Sequence, residues 1–478
     1  MSANKLKTQV VDGLKWSVLA KVLTQVFSWV STFMVIRVLT PEDYGLVGIS
    51  MVFFSFIAMF TTNGLTSALI QTQGRERRPA NQIFTLSLLL NVTLSGLIAL
   101  SAPWFAEMYN NEALVPILWL LALMNPLTSL IVVPSAHLSM EMRFKEKAIA
   151  ESVAGLIAAT VAFGFAMNGA GFWSLIYANI ALTISRVIGY NYYSRSKYRL
   201  TLKREGAATL FTFAMNIQIG TFVWFLYNNT DTMIVGKFLG VEKLGFYSVA
   251  SEVASIPMSK VSAILNDVGF SAFSTLKDNP EEASRYVEKA ILLIGLIAFP
   301  VFLGISAIAN EFVLVLLGEK WASAGLVIMV LCWVFPLRMV NSVLTNFANG
   351  MGETKFCLHN ALITAVILIS AITVGAMQGL FETALAWVFG FVGVFSLVMW
   401  RFSRKFNLSF KTLTIYWLPA LLSISMWFVL MGLEYFVLPT GLEPWMLMVI
   451  KIAAGALWVL PWYYKCYLGE FKQLLNRG

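Results

Sequence analysis

Six ionisable residues in or beside stretches of sequence that are otherwise apolar are candidates for chemistry. Lys21, Arg186, Lys260 and Arg338 are basic; Asp231 and Glu252 are acidic. A charge within a hydrocarbon layer is costly and normally faces a wet cavity or a partner. Cations there can hold an anion, or their long stems can run back to the lipid headgroups. Carboxylates there can bind Na+, take up a proton, or balance the cations, and the sequence leaves these three open.

Uncharged polar residues accompany them at helical spacing. Ser17, Lys21, Thr24, Gln25, Ser28, Ser31 and Thr32 recur at steps of three and four residues, which puts them on one helix face. Thr221, Asn228, Asp231 and Thr232 form a second stripe, and Ser55, Thr62, Asn63 and Thr66 a third. A fourth holds Ser248, Ser251, Glu252, Ser255, Ser259 and Ser262. Small hydroxyl residues also let helices pack closely, and that alternative serves for any single serine. It accounts poorly for stripes containing Lys21, Asp231 or Glu252. Gln25, Ser28, Asn63, Asn228 and Ser255 are therefore the candidate lining of a polar lumen.

The elements that carry these residues follow from composition. The chain has 478 residues, 58% of them apolar and 12% Asp, Glu, Lys or Arg. A soluble domain carries about 25% charged residues, and the mean hydropathy of +0.74 agrees that this chain is not one. It reads as an all-α polytopic membrane protein. A membrane helix takes roughly 20 residues, which leaves room for about 14 spans. Apolar stretches lie near 13–36, 45–68, 82–105, 114–136, 148–168, 172–193 and 207–230. The others lie near 244–264, 288–309, 323–346, 357–377, 383–400, 413–431 and 445–464. A membrane β-barrel would show strictly alternating segments of about ten residues instead.

Basic residues set the orientation. With the N-terminus inside, connectors expected in the cytosol hold Arg75, Arg77, Arg78, Arg143, Lys145, Lys147, Arg195, Lys197 and Arg199 among others. The outer connectors hold only Arg37, Lys237, Lys243 and Lys320, beside acidic residues such as Glu42, Asp43, Glu311 and Glu319. That asymmetry places both termini in the cytosol. The net charge of +9 thus reflects topology and not nucleic-acid binding. Cys332, Cys357 and Cys466 are too widely spaced to suggest a disulfide or a metal site, and His137 and His359 each stand alone near span ends.

The chain also repeats itself. VIRVLTPEDYGLVG around Arg37 is echoed 200 residues later by VGKFLGVEKLGFYS around Lys237, pairing Thr32 with Thr232, Val35 with Val235, Leu39 with Leu239, Glu42 with Glu242 and Gly45 with Gly245. The offset sets span 1 on span 7, so two six-span repeats run in the same direction. The expected organisation is a lobe at 1–206, a repeat-related lobe at 207–412, and two extra helices with a tail at 413–478. Spans 1, 2, 7 and 8 are expected to line a lumen between the lobes.

The runs RVLTPEDYG, EMRFKEKAIAE and VLLGEKW resemble the polysaccharide transport family, the Wzx-type flippases of the MOP superfamily. The resemblance covers essentially the whole chain. It implies the MOP flippase fold working by alternating access; the residues themselves point to no cofactor and no catalytic residue, and the carboxylates leave open a coupling ion, Na+ or H+. It implies a substrate made of an oligosaccharide repeat unit on undecaprenyl diphosphate. It further implies the bacterial inner membrane as location, and a polysaccharide polymerase with its chain-length machinery as partners beside the membrane lipids. The glycan itself does not carry over.

Depth then weighs the charges. At 1.5 Å per residue, Lys21 lies about 12 Å from the cytosolic end of its span, Arg338 about 10 Å, Arg186 similarly, and Lys260 about 6 Å. A diphosphate headgroup entering from the cytosol would meet these cations. Lys260 reads mainly as a headgroup anchor, and Lys21 is the first candidate for substrate. Glu252 lies about 12 Å from the periplasmic end of span 8, and Asp231 near the same end of span 7 reads as a solvated helix-end carboxylate. Two rival functions share these features: a drug or cation antiporter of the same superfamily, and a membrane-embedded glycan polymerase, ligase or transferase. The second is disfavoured because no outer connector is long enough to build a catalytic domain and no nucleophile constellation is present.

Overall fold

The structure is a computed structural model that describes residues 25, 27–59, 64–71, 77–201, 207–275, 280–406, 408, 410–439 and 441–475. Among these residues every regular element is helical. The first half holds α1 (Phe27–Val38), α2 (Pro41–Ala58), α3 (Gly64–Gln71), α4 (Arg77–Met108), α5 (Leu114–Met124), α6 (Ser129–Met140), α7 (Phe144–Met167), α8 (Trp173–Ser194) and α9 (Ala207–Leu239). Then come α10 (Val241–Thr275), α11 (Pro280–Ala307), α12 (Ala309–Leu316), α13 (Ala322–Leu331), α14 (Phe335–Gly350), α15 (Thr354–Ala376), α16 (Leu380–Phe406), α17 (Phe410–Gly432) and α18 (Pro444–Leu475).

Among the described residues, 8 helices are long and apolar enough to cross a membrane, and 9 if the bent pair Glu319–Leu331 and Phe335–Gly350 is one span. Helices α2 and α3, α8, α9 and α10 cover the expected second, sixth, seventh and eighth stretches without meeting that test. Most of the expected first span lies outside the described residues. Large apolar side chains such as Leu100, Leu123, Phe389 and Leu457 are exposed, as a lipid-facing surface requires.

The repeat is visible in the corners. Thr40 interrupts the chain between α1 and α2, and Gly240, at φ +88°, does so between α9 and α10. At the first corner the Thr40 hydroxyl accepts from the Asp43 amide, and the Asp43 carboxylate accepts from the Thr40 amide at 2.9 Å. Pro41 opens α2 where its missing N–H costs nothing. The other Asp43 oxygen accepts from the Phe172 amide at the start of α8, 2.9 Å away. The signature run RVLTPEDYG is thus a helix corner. VLLGEKW is another: Gly318 turns at φ +95° and delivers Trp321, which is fully buried against Phe246.

A second echo lies in the fourth span of each repeat. Asn125–Thr128 forms a 3-10 turn between α5 and α6, with Pro126 in it. Residues 332–334 interrupt α13 and α14, followed at once by Pro336, and the two parts meet at 48°. Proline cannot donate to the preceding turn, which is why both spans break there.

The chain divides into two compact units, Met1–Phe225 and Leu226–Gly478. In the first, α7 and α8 form a hairpin, and Leu65, Leu69, Ile83, Val132 and Val133 make a buried core. Asn91, Ser95, Asn125 and Thr128 form a buried polar staple across the α5–α6 break, with Asn125 donating to Asn91 at 2.8 Å. In the second, α15 and α16 form the matching hairpin, while α17 packs on α11 and α18 on α12. Their shared core is Leu303, Ala307, Met426, Leu430 and Val459.

Candidate functional site

Arg338 stands two residues after Pro336, just past the bend between α13 and α14. Its Nη2 donates to Asn228 Oδ1 on α9 at 2.9 Å. Its guanidinium carbon lies 5.3 Å from the centre of the Tyr227 ring, 5.4 Å from Phe335 and 5.2 Å from Trp387. Tyr227 and Trp387 meet edge to face at 6.1 Å. Aromatic faces attract a cation at such distances. Tyr227 and Asn228 are neighbours on α9, so one turn of that helix supplies both a ring and an acceptor. No carboxylate among the described residues lies at ion-pair distance from Arg338, although the Asp231 carboxylate acts on it from further off, so N–H groups of its planar fork remain for an anion.

The structure moves this arginine from where spacing put it. Helix α14 runs on to Gly350, so Arg338 lies about 18 Å along the helix from that end, further than the apolar stretch alone suggested. Its partner Asn228 lies about 16 Å from the other end of α9. Both side chains therefore sit well inside their helices.

Asp231 joins the same stretch of α9. It is not a solvated helix-end carboxylate, because α9 continues to Leu239 and Asp231 is 9% exposed. Tyr247 on α10 donates to its Oδ2 at 2.7 Å, and the Thr232 amide donates to Oδ1 at 2.8 Å. Glu252 is exposed on α10, and Ser255 donates to its main-chain carbonyl at 2.9 Å. Among the described residues no cluster of His, Cys, Asp and Glu is placed to hold a metal ion.

Arg186 belongs to the first unit and has a different setting. Its Nε and Nη2 both donate to Glu151 Oε2, at 3.0 and 2.8 Å, and Tyr190 donates to Glu151 Oε1 at 2.9 Å. Arg186 is already neutralised, with both side chains 39% exposed. Nearby, the Tyr198 hydroxyl donates to Asn191 Oδ1 at 2.7 Å. Burial pushes this phenol above its usual value, so it stays a donor. His137 meets Ser196 at 2.6 Å, an interface contact. In the first polar stripe, Gln25 and Ser28 are half-buried, and Ser31 is buried and donates to the Ala159 carbonyl on α7 at 3.0 Å. That part of the stripe packs helices. Lys21 and Asn63 lie outside the described residues, as does the side chain of Lys260.

Sequence reasoning missed Lys451, which is 1% exposed. Its ammonium lies 2.7 Å from Glu311 Oε1, 2.7 Å from Glu434 Oε2 and 2.9 Å from the Ala307 carbonyl. A lysine seven residues into the last apolar stretch was the available signal. Its stem lines one end of an apolar groove of about 780 Å³ between α11, α17 and α18, with Leu296, Pro300, Gly304, Leu430 and Val459 on the walls. The aromatic frame of Arg338 was also missed, since Tyr227, Phe335 and Trp387 come from three helices far apart in the chain.

Comparison with known proteins agrees with this picture. The chain is 27% identical over 383 residues to the succinoglycan biosynthesis transport protein ExoT of Rhizobium meliloti (strain 1021), covering 79% of this chain and 77% of that one. It is 24% identical over 486 residues to the teichuronic acid biosynthesis protein TuaB of Bacillus subtilis (strain 168), covering 98% of both. Among solved structures it superposes on the lipid II flippase MurJ in an inward closed conformation with a TM-score of 0.78 at 14% identity, over 95% of this chain and 100% of that one. It also superposes on an inward-facing multidrug resistance MATE family transporter of the MOP superfamily with a TM-score of 0.61 at 14% identity, over 80% of this chain and 95% of that one. The fold is therefore the MOP fold of a multi-pass membrane protein. Residues 34–326 match the model of the polysaccharide biosynthesis protein family, and the chain belongs to that family.

Proposed function

We propose that this protein is a flippase, not an enzyme, that moves an undecaprenyl-diphosphate-linked oligosaccharide repeat unit across the bacterial inner membrane by alternating access, for surface polysaccharide assembly. Arg338 is the observation that carries the reading. It is a cation well inside its helix, whose contacts among the described residues include neutral Asn228 and no carboxylate at ion-pair distance, whereas Arg186 and Lys451 are already paired with carboxylates. A diphosphate can pair directly with such a guanidinium, which Asp231 reaches only from beyond ion-pair distance. The apolar groove in the same unit offers room for part of a polyprenyl chain. The names of the relatives, which include a succinoglycan transport protein and a lipopolysaccharide biosynthesis protein, support a glycan cargo.

Lys21 is proposed to meet the substrate headgroup nearer the cytosol, with Lys260 mainly an anchor to the lipid headgroups, and Asp231 or Glu252 to take the coupling ion, Na+ or H+. A polymerase with its chain-length machinery would consume the exported unit. Both termini are proposed to be cytosolic: cysteines at Asn110 and Pro439 should label from the periplasm, and those at Gly74 and Ser196 only from the cytosol.

Cells lacking the protein should accumulate the lipid-linked unit on the inner leaflet and lose a surface polysaccharide. Unchanged polysaccharide in a strain without a redundant relative would argue against the role. The MATE-like fold keeps a drug or cation antiporter as the second reading, and raised drug resistance in expressing cells would favour it.

A further inference from the structure

We propose that Ser306 is a positioning residue for Arg338: its hydroxyl holds the bend in the tenth span that presents the guanidinium to Asn228. The inference rests on reading Arg338 as the ligand of a phosphate headgroup.

In an unbroken helix the Trp333 amide would donate to the Met329 carbonyl. At this bend it donates to Val330 instead, at 3.1 Å, and the Val334 amide to Leu331 at 2.9 Å. The Met329 carbonyl is thereby released within a membrane span, where no bulk water can satisfy it. Ser306 on α11 fills the vacancy, its Oγ donating to Met329 at 2.7 Å. The same oxygen accepts from Trp333 Nε1 at 3.2 Å and from Trp427 Nε1 on α17 at 3.0 Å. A serine hydroxyl has one hydrogen and two lone pairs. All three are used, and Ser306 is 1% exposed.

One turn earlier on α11, Phe302 stacks on Phe335, with ring centres 5.4 Å apart and planes 10° from parallel. Phe335 is itself one of the rings around Arg338. A single face of α11 thus grips the bend on both sides, Ser306 before it and Phe302 after it. Without the hydroxyl, Met329 and two indoles lose a partner together. The least costly repair returns the Trp333 amide to Met329, which closes the bend and swings α14, with Arg338, away from Asn228.

The test uses the full-length protein in lipid nanodiscs, with genetically encoded spin labels at Ser323 and Asn349 reporting the bend. Binding of inorganic diphosphate, measured by calorimetry, reports the site. Ser306→Ala should shift the label distance and weaken diphosphate binding about tenfold, while Ser306→Thr restores both. Trp427→Phe, which spares the Met329 bond, should leave the distance as in the parent protein. An unshifted distance in Ser306→Ala overturns the proposal, whether or not binding falls. So does an equal shift in Trp427→Phe, which would assign the effect to packing of α17. If Ser306→Ala does not fold, Ser306→Cys takes its place with the same criteria, since a thiol is a poor donor of similar size. Absence of diphosphate binding by the unaltered protein would remove the headgroup reading alone, and the label distance would still decide whether Ser306 holds the bend.

Discussion

Lys451 Nζ lies 2.7 Å from Glu311 Oε1 with both side chains buried, so an ion pair that solvent does not screen ties the last helix to α12. The Ala307 carbonyl and Glu434 take the other two hydrogens of the ammonium. Removing one partner of a buried pair leaves a charge with nothing to answer it, at a cost of about 3–5 kcal/mol. Lys451→Ala should therefore melt well below the parent protein in nanodiscs. The neutral triple variant Lys451→Met, Glu311→Gln, Glu434→Gln should recover most of the loss. A Lys451→Ala protein that melts like the parent would contradict this.

Arg338 is stacked as well as charged, so lysine should be a poor replacement. Both Arg338→Ala and Arg338→Lys should weaken diphosphate binding by at least about tenfold, near 1.4 kcal/mol, and abolish export at matched expression. Accumulated lipid-linked intermediate is the readout in cells. Normal export by Arg338→Lys would show that charge alone suffices and that the aromatic frame is incidental.

For Arg186 the expectation is the opposite. The pair with Glu151 is half-exposed, and such pairs contribute about 1 kcal/mol or less. Arg186→Leu alone strands a carboxylate in the span and should impair export. The double variant Arg186→Leu, Glu151→Leu should export within about threefold of the parent rate, a difference below 1 kcal/mol in barrier. If the double variant is as inactive as the single one, Arg186 binds substrate.

The motif RVLTPEDYG is predicted to act on stability and not on cargo. Thr40→Ala removes the capping hydroxyl and should cost about 0.5–2 kcal/mol. Asp43→Ala should cost more, because it also frees the Phe172 amide. In both, export per folded molecule should be unchanged, measured as polysaccharide against protein resistant to proteolysis. A fall in that ratio would give the motif a direct role in transport.

Membrane spanning, helix type and the sequence echo between the two halves were all legible from the chain. Each depends on local quantities: hydrophobic length, the spacing of polar residues, and identities such as Thr32 with Thr232 and Glu42 with Glu242. The Thr-Pro-Glu-Asp run carries the capping-box pattern that the structure shows at the first corner, but in the sequence it served only as a repeat and family signature. Which charges are free was not legible. Arg186 and Arg338 look alike in sequence, each among hydroxyl and amide residues on one helix face. Only tertiary packing sets Glu151 from another helix against the first and three aromatic rings against the second. Distance from the helix ends was misjudged for the same reason. Helix ends are decided by caps and contacts and not by hydropathy, so α9 and α14 ran past their apolar stretches and left Asp231 and Arg338 further from the helix ends. Lys451 shows the limit most plainly: its partners lie 17 and 140 residues away, and a buried lysine is tolerable only once the fold has brought two carboxylates and a carbonyl to it.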